Sequence, residues 1–395
     1  MSSDKRIGLV LSDVPGYSET FFRNKIKGLQ DNGFQVFLFV DQNQAKKIEF
    51  PCEIITAPNF NGNLFTKLTC IILAFLKAVF VNTKQSFRLY KLDKKDGLSL
   101  KRRIKHVLLN QFLFKKKLDW LHFGFGMLAV NRENVAKAIG AKMAVSFRGF
   151  DLYLSPLKHK ECYNLLFSKK VHYHVLSNKM KTILIDKGIT KTMVTVINPA
   201  IDLSFFQPKK RQQTNQRIEM LTIARLHWVK GLEYTLQALA LLKKEGLGFK
   251  YTIIGDGKEY ERLVFAAHQL DIKEQVVFKG KITSKEVKKE LDQADIYIQY
   301  SIQEGFGNAP LEAQASGLLC IVSDADGLSE NVIDAKTGWV VPKRKPLALA
   351  NTIRKVTEMP LIEQQKIQEN AINRMKNEFH INKQQKHFVR FYSEA

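Results

Sequence analysis

Two carboxylates, Glu304 and Glu312, flank a stretch holding Gly305, Gly307 and Pro310 in YSIQEGFGNAPLEAQASGLLCIVSD. Ionised carboxylates only accept hydrogen bonds, and sugar hydroxyls are donors that suit them. Glycines let a backbone approach a ligand closely and take dihedrals that other residues avoid. Proline at a first helical position and glycine as a stop predict a helix from about Pro310 to Gly317. Its N-terminus offers free N–H groups and partial positive charge, which suit a phosphate. The segment therefore fits a ligand carrying phosphate and hydroxyls together, as a nucleotide diphosphate-sugar does. A glycine-rich strand–helix turn with two solvated acids fits the same local pattern.

A second constellation lies in TIARLHWVKGLEY. Arg225 follows a strand end, and Lys230 precedes Gly231 at a helix start. Such a pair can clamp a diphosphate and stabilise charge on a leaving phosphate. Basic loop residues are also common in so basic a chain. YTIIGDGKEYERL places Gly255, Asp256 and Gly257 at another strand end, where a plain turn would look the same. Asp324 and Asp326 form an Asp-x-Asp pattern, but it comes late, beyond the helix that carries Glu312. His172 and His174 share one face of a strand and lack a third ligand nearby in sequence, so core or surface positions suit them. No Walker loop or zinc spacing is present, and neither metal nor cofactor is expected.

These residues need strand ends to hold them. RIGLVLSD, FQVFLFV, EIITAP, DWLHFGFG, KMAVSFRG and KVHYHVLS read as strands separated by helical stretches. The same grammar restarts with RIEMLTIARL, KYTIIGDG, QVVFKG, ADIYIQYS and LLCIVSD. Alternation of strands and helices predicts an α/β protein with parallel sheets. The expected organisation is two Rossmann-like domains facing a central cleft. Residues 1–198 form the N-terminal domain and residues 199–376 the C-terminal one. VINPAIDLSFFQPKKRQQTNQR reads as the linker between them. The tail is a helix whose aromatic stripe (Phe388, Phe391, Tyr392) suits packing. Open α/β sheets bind ligands outside the carboxyl ends of their strands, where every motif above falls.

The 395 residues exceed one ordinary core, and 45% are hydrophobic. Four scattered cysteines (Cys52, Cys70, Cys162, Cys320) point to a reducing, cytoplasmic setting. No signal peptide is visible, and the most apolar run, Leu68 to Val81, reads as too short for a span and carries Lys77. The formal net charge is +24. Clusters at Arg102, Arg103 and Lys105, and at Lys115, Lys116 and Lys117, would attract nucleic acid or an anionic membrane face. Apolar residues between the lysines favour the membrane, no nucleic-acid motif occurs, and a solvated basic helix face is the plain alternative.

In this order, R-x-x-x-x-K-G, G-D-G and E-G-F-G-N-x-x-L-E resemble glycosyltransferase family 4. The Glu-x7-Glu spacing from Glu304 to Glu312 is similar to the signature of its retaining members. PGYSETFFRNKIKGL, LHFGFG, SFRGFDL and VINPAIDLSFF resemble segments of members that build exopolysaccharide and lipopolysaccharide. The resemblance covers nearly the whole chain and implies the GT-B fold, with residues 377–395 crossing back to the first domain. It also implies that the first domain is the acceptor side and the second binds the nucleotide-sugar. It implies that Arg225 and Lys230 bind the donor diphosphate, Glu304 the sugar hydroxyls and Glu312 the ribose hydroxyls. Backbone near Phe306, Gly307 and Asn308, at Gly255 and Gly257, and at Gly16 would approach the donor. His122, Arg148 and Asp151 would line the acceptor side. Many relatives carry histidine where Arg148 stands; an arginine stays protonated and cannot act as a base.

The implied reaction is metal-independent transfer of a hexose-type sugar, with retention, from a nucleoside diphosphate-sugar to a saccharide acceptor. That acceptor would be lipid-linked or a cell-surface glycan precursor, and the enzyme peripheral at the inner face of the cytoplasmic membrane. A nucleotide-sugar epimerase or a phosphorylase on the same plan, a basic nucleic-acid-binding protein and an inactive sugar-binding subunit are the rival readings.

Overall fold

The computed structural model describes residues 5–16, 20–42, 50–59, 63–209 and 217–394. The chain divides into two units. The first runs to Val175, resumes at Lys181–Ile197 and returns from Gln385 onward; the second comprises Leu176–Met180 and Asn198–Gln384. The polar run 210–216 of the expected linker lies outside the described residues, as do residues 17–19 of the loop after Gly16.

The first unit is built on seven strands: β1 Arg6–Leu11, β2 Gln35–Val40, β3 Glu53–Thr56, β4 Trp120–Phe123, β5 Lys142–Phe147, β6 His172–Val175 and β7 Val194–Val196. They pair in parallel in the order β3-β2-β1-β4-β5-β6-β7. The order reverses at β1, so β2 and β4 flank it. All four residues of β4 are buried, as expected for a parallel strand covered on both faces. The core joins Ile7, Leu9, Phe22, Ile26 and Trp120 to Phe388, Phe391 and Tyr392 of the helix Ile381–Glu394. That stripe is therefore packing.

Between β3 and β4 the described residues hold three α-helices, Leu64–Leu76, Thr83–Lys95 and Leu100–Leu109. Asn63 caps the first by accepting from Thr66 N at 2.9 Å. The helix then continues as a π-helical turn, Lys77–Val81. The apolar run thus starts earlier than the sequence suggests. Leu64–Val81 is an 18-residue helical stretch of mean hydropathy 2.1, apolar and long enough to cross a membrane by length and composition alone. Only 11% of it is buried. Phe65 and Phe80 are each 75% exposed, and Leu68, Leu73 and Phe75 exceed half, so the run is not core.

The second unit has six strands: β8 Ile218–Ile223, β9 Phe249–Ile254, β10 Val276–Gly280, β11 Ile296–Gln299, β12 Leu319–Ser323 and β13 Trp339–Val341. They are parallel, in the order β10-β9-β8-β11-β12-β13. The helix Leu232–Lys244 buries Leu232, Leu236 and Leu239 against this sheet.

Candidate active site

In the second unit, the loops after β8, β9 and β11 converge. Lys230 Nζ donates to Glu304 Oε2, and both side chains are about 15% exposed (15% and 16%). This ion pair joins the two constellations first read in the sequence. It is held by backbone: Ile302 N donates to Val229 O at 2.7 Å. Gly231 takes φ +63, and a Cβ there would stand 2.2 Å from Tyr300 O, so only glycine lets the Lys230 loop lie against the end of β11. Arg225 is exposed, and its guanidinium has no hydrogen-bond or ion-pair partner among the described residues.

Gly255 and Gly257 press on the same loop from β9. A Cβ on Gly255, at φ +137, would sit 1.9 Å from Ala224 O; one on Gly257 would sit 2.3 Å from Leu226 O. Their need for glycine is thus set by the backbone that frames Arg225, with or without a ligand. Leu226 N donates to Asp256 O at 2.9 Å and completes the clamp.

After Glu304 the chain passes Phe306, buried against Phe379 at 5.7 Å, and Gly307 at φ +93. The Phe306 carbonyl accepts from Asn331 Nδ2, a contact without a sequence signal. Asn308 is exposed and precedes the two-turn helix Ala309–Ala315, with Pro310 in its first turn and Gly317 past its end at φ +80. Glu312 is half-buried, and its carboxyl accepts no hydrogen bond among the described residues. Burial pushes its pKa up to about 7. A ligand bringing hydroxyl donors would satisfy that carboxylate.

Asp324 spends one carboxylate oxygen on Lys343 N at 2.9 Å, and burial raises the pKa of Asp326. Among the described residues no three His, Cys, Asp or Glu group together as metal ligands.

In the first unit, Gly16 has open space around its α-carbon. The remaining predicted residues follow β4 and β5. Arg148 is half-buried; its guanidinium stands 4.1 Å from the ring centre of Phe21, 4.6 Å from Phe22 and 5.6 Å from Phe125, and Nε donates to Gly124 O at 3.2 Å. Asp151 is 6% exposed and accepts three backbone N–H groups: Arg148 at 2.8 Å, Gly149 at 3.1 Å and Gly126 at 2.8 Å. Desolvation still raises its pKa. Its expected place lining the acceptor side is corrected: the carboxylate ties the β4 and β5 loops together.

His122 is corrected too. It is fully buried, with Nδ1 bonded to the Tyr392 hydroxyl and Nε2 2.7 Å from Ser146 Oγ. Ser146 Oγ also lies 2.7 Å from His174 Nδ1, and His174 Nε2 reaches Ile197 O at 3.1 Å. Lys25 Nζ, unnoticed in the sequence, lies 3.4 Å from His122 Nδ1 and 4.3 Å from the centre of the Phe388 ring. Burial and the Arg148 charge hold the Lys25 amine well below its usual range. Burial foremost does the same to both histidines. This is an internal polar network, closed to an acceptor.

Two all-parallel α/β units with charged loops at strand ends define the GT-B class of glycosyltransferase folds. HepE from Anabaena, solved with UDP and glucose, superposes with a TM-score of 0.73 over 99% of this chain and 100% of its own, at 18% identity. Residues 204–374 match the family model described as Glycosyl transferases group 1. The amylovoran biosynthesis glycosyltransferase AmsK of Erwinia amylovora is 29% identical over 260 residues, 64% of each chain. WcaL of Escherichia coli strain K12, provisionally named a colanic acid biosynthesis glycosyltransferase, is 25% identical over 95% of this chain and 96% of its own. The second unit thus resembles the group 1 glycosyl transferases, and the chain as a whole is similar to glycosyltransferases named for exopolysaccharide biosynthesis.

Proposed function

We propose that the protein transfers a hexose-type sugar from a nucleoside diphosphate-sugar to a saccharide acceptor, with anomeric configuration retained and without a metal. The carrying observation is the Lys230–Glu304 pair, with an exposed Arg225 in the same loop as Lys230 and a half-buried Glu312 on the helix after Glu304, the side chains of both without a hydrogen-bond or ion-pair partner among the described residues. Cations and hydrogen-bond acceptors stand together in one unit, as a phosphorylated sugar requires. Arg225 and Lys230 neutralise the diphosphate as the glycosidic C–O bond breaks and negative charge grows on the leaving oxygen. Glu304 accepts from donor-sugar hydroxyls, and Glu312 from ribose hydroxyls. Backbone at Phe306, Gly307 and Asn308 approaches the donor. The departing phosphate takes the acceptor hydroxyl proton on the face where the new bond forms. HepE, crystallised with UDP and glucose, supports a uridine nucleotide as donor. The relatives named for amylovoran and colanic acid support an exopolysaccharide precursor as acceptor.

The site of work is the inner face of the cytoplasmic membrane. The apolar stretch Leu64–Val81 is joined to β3 before it and to a helix packed within the same unit after it. A membrane crossing would put those flanks on opposite faces, so the stretch lies in the plane of the membrane.

The test is transfer from UDP-hexoses to a lipid-linked saccharide, with products resolved. Glu304→Gln is expected to lower turnover about 10- to 100-fold, the worth of a charged hydrogen bond. Lys230→Ala is expected to cost about 100-fold or more. EDTA should leave the wild-type rate intact. Near-normal transfer by both variants and by Arg225→Ala would refute the assignment. Sugar inversion without acceptor would point to an epimerase, and a phosphate requirement to a phosphorylase.

A further inference from the structure

The first unit holds a cavity of about 400 Å³ that the donor site does not use. Asp41, just past β2, forms one wall; the segment Met127–Arg132, after β4, forms another; the helix Leu100–Leu109 closes it with Arg102, Lys105 and His106. β2 and β4 flank β1, where the strand order reverses, and ligands of open α/β sheets gather at such a point.

Its charges do not balance. Asp41 is taken by Arg132, with Oδ1 2.6 Å from Nη2. His106 Nδ1 is bonded to Asp93 at 2.9 Å. Arg102 and Lys105 are exposed, and their charged side-chain groups have no hydrogen-bond or ion-pair partner among the described residues; the Arg102 backbone N–H is spent on the Ser99 cap. Lys101, Arg102 and Arg103 also occupy the first turn of their helix, with no acid among them. Cations there oppose the helix dipole. An anion in the cavity would reverse that cost. Asn110 is 2% exposed, lines the cavity, and its Oδ1 meets no donor among the described residues. That oxygen suits a sugar hydroxyl.

The cavity adjoins apolar surface. Leu100 and Ile104, on the same helix, are about half exposed (54% and 47%), and the helix packs against Leu64–Leu76 with its bare leucines and phenylalanines. A free anion has no use for such a border; an amphiphile has.

We infer that this cavity binds the phosphate or diphosphate of a lipid-linked acceptor, with Arg102 and Lys105 on the anion, Asn110 on its first sugar and the lipid lying along Leu64–Val81. The inference rests on the glycosyltransferase reading with a lipid-linked acceptor, and deepens it.

The test titrates full-length protein, with UDP held at saturation to block the donor site, using farnesyl diphosphate, farnesol and inorganic pyrophosphate. Farnesyl diphosphate should bind saturably, and R102Q/K105Q should weaken it at least tenfold. Binding of UDP itself, read separately, should be unchanged in that variant. Farnesol binding as tightly as farnesyl diphosphate would overturn the anion site. Pyrophosphate binding as tightly would overturn the lipid source. A variant that keeps full affinity would overturn the roles of Arg102 and Lys105. Loss of UDP binding in the wild type would count against the donor site alone.

Discussion

Glu312 carries a carboxyl whose pKa burial raises from 4.5 to about 7. The folded state then holds a proton, between about pH 4.5 and 7, that the unfolded chain releases, so stability falls as pH rises through that window. Above pH 7 the cost is complete. Glu312→Gln is therefore expected to stabilise the ligand-free protein by about 1–2 kcal/mol at pH 8 and hardly at all at pH 4.5, measured by denaturant unfolding. Ligand hydroxyls favour the ionised form. Affinity for UDP-glucose, whose phosphates do not titrate here, should rise toward pH 7 and level off. In Glu312→Gln the affinity should be weaker and flat with pH. A flat wild-type profile would remove the ribose from Glu312. At this scale the sequence was readable where chemistry and backbone coincide: Lys230, Glu304 and their glycines meet. It was misleading at His122 and Asp151. On a strand buried on both faces, alternation does not distinguish a core histidine from a site residue. A carboxylate that caps backbone amides looks, in sequence, like one that faces a ligand.

Among elements, the loop pair after β8 and β9 has no slack. Gly255→Ala forces a Cβ toward Ala224 O at an unfavourable φ, and should cost about 2–4 kcal/mol. Thermal unfolding with an unchanged midpoint would argue against so tight an approach. The helix Ile381–Glu394 is coupled to the buried histidines through Tyr392. Both histidines stay neutral when folded, whereas unfolded histidine binds protons below about pH 6.5. Stability of the first unit should thus fall as pH drops from 6.5, by up to about 1.4 kcal/mol per pH unit for each histidine. Hydrogen exchange at β4, β5 and β6 should quicken at pH 5 beyond its intrinsic trend, and Tyr392→Phe should quicken it already at pH 7. Of the thirteen strands among the described residues, eleven were legible as β-branched and aromatic runs. β7 and β13, with three residues each, are too short to show a pattern. The helix Leu64–Val81 was legible as apolar, but hydrophobicity all around a helix describes a buried core as readily as a bare surface.

For the molecule as a whole, charge and exposed apolar surface coincide in the first unit. Each Lys or Arg near an anionic bilayer is worth about 1 kcal/mol, screened by salt. The protein should bind anionic vesicles at low salt and leave them at high salt. Replacing Phe65, Phe75 and Phe80 by serine should weaken that binding at least tenfold, since each phenylalanine removes about 1.5–3 kcal/mol when withheld from an apolar medium. Charge reversal at Lys115 and Lys117 should weaken it more modestly. UDP binding should survive both changes. Equal binding to neutral and anionic vesicles, or none to either, would exclude the membrane role and leave the transferase standing.

The path of the chain has a consequence for biosynthesis. The first unit's core includes Phe388, Phe391 and Tyr392, which are made only after the whole of the second unit. A ribosome therefore releases β1 to β7 long before the aromatic plug that covers Trp120 and His122 exists. Until then the nascent sheet keeps an unsealed flank and an unpartnered histidine, and stays open to chaperones or proteases. Order in time thus runs opposite to order in sequence: the unit begun first is the last to close.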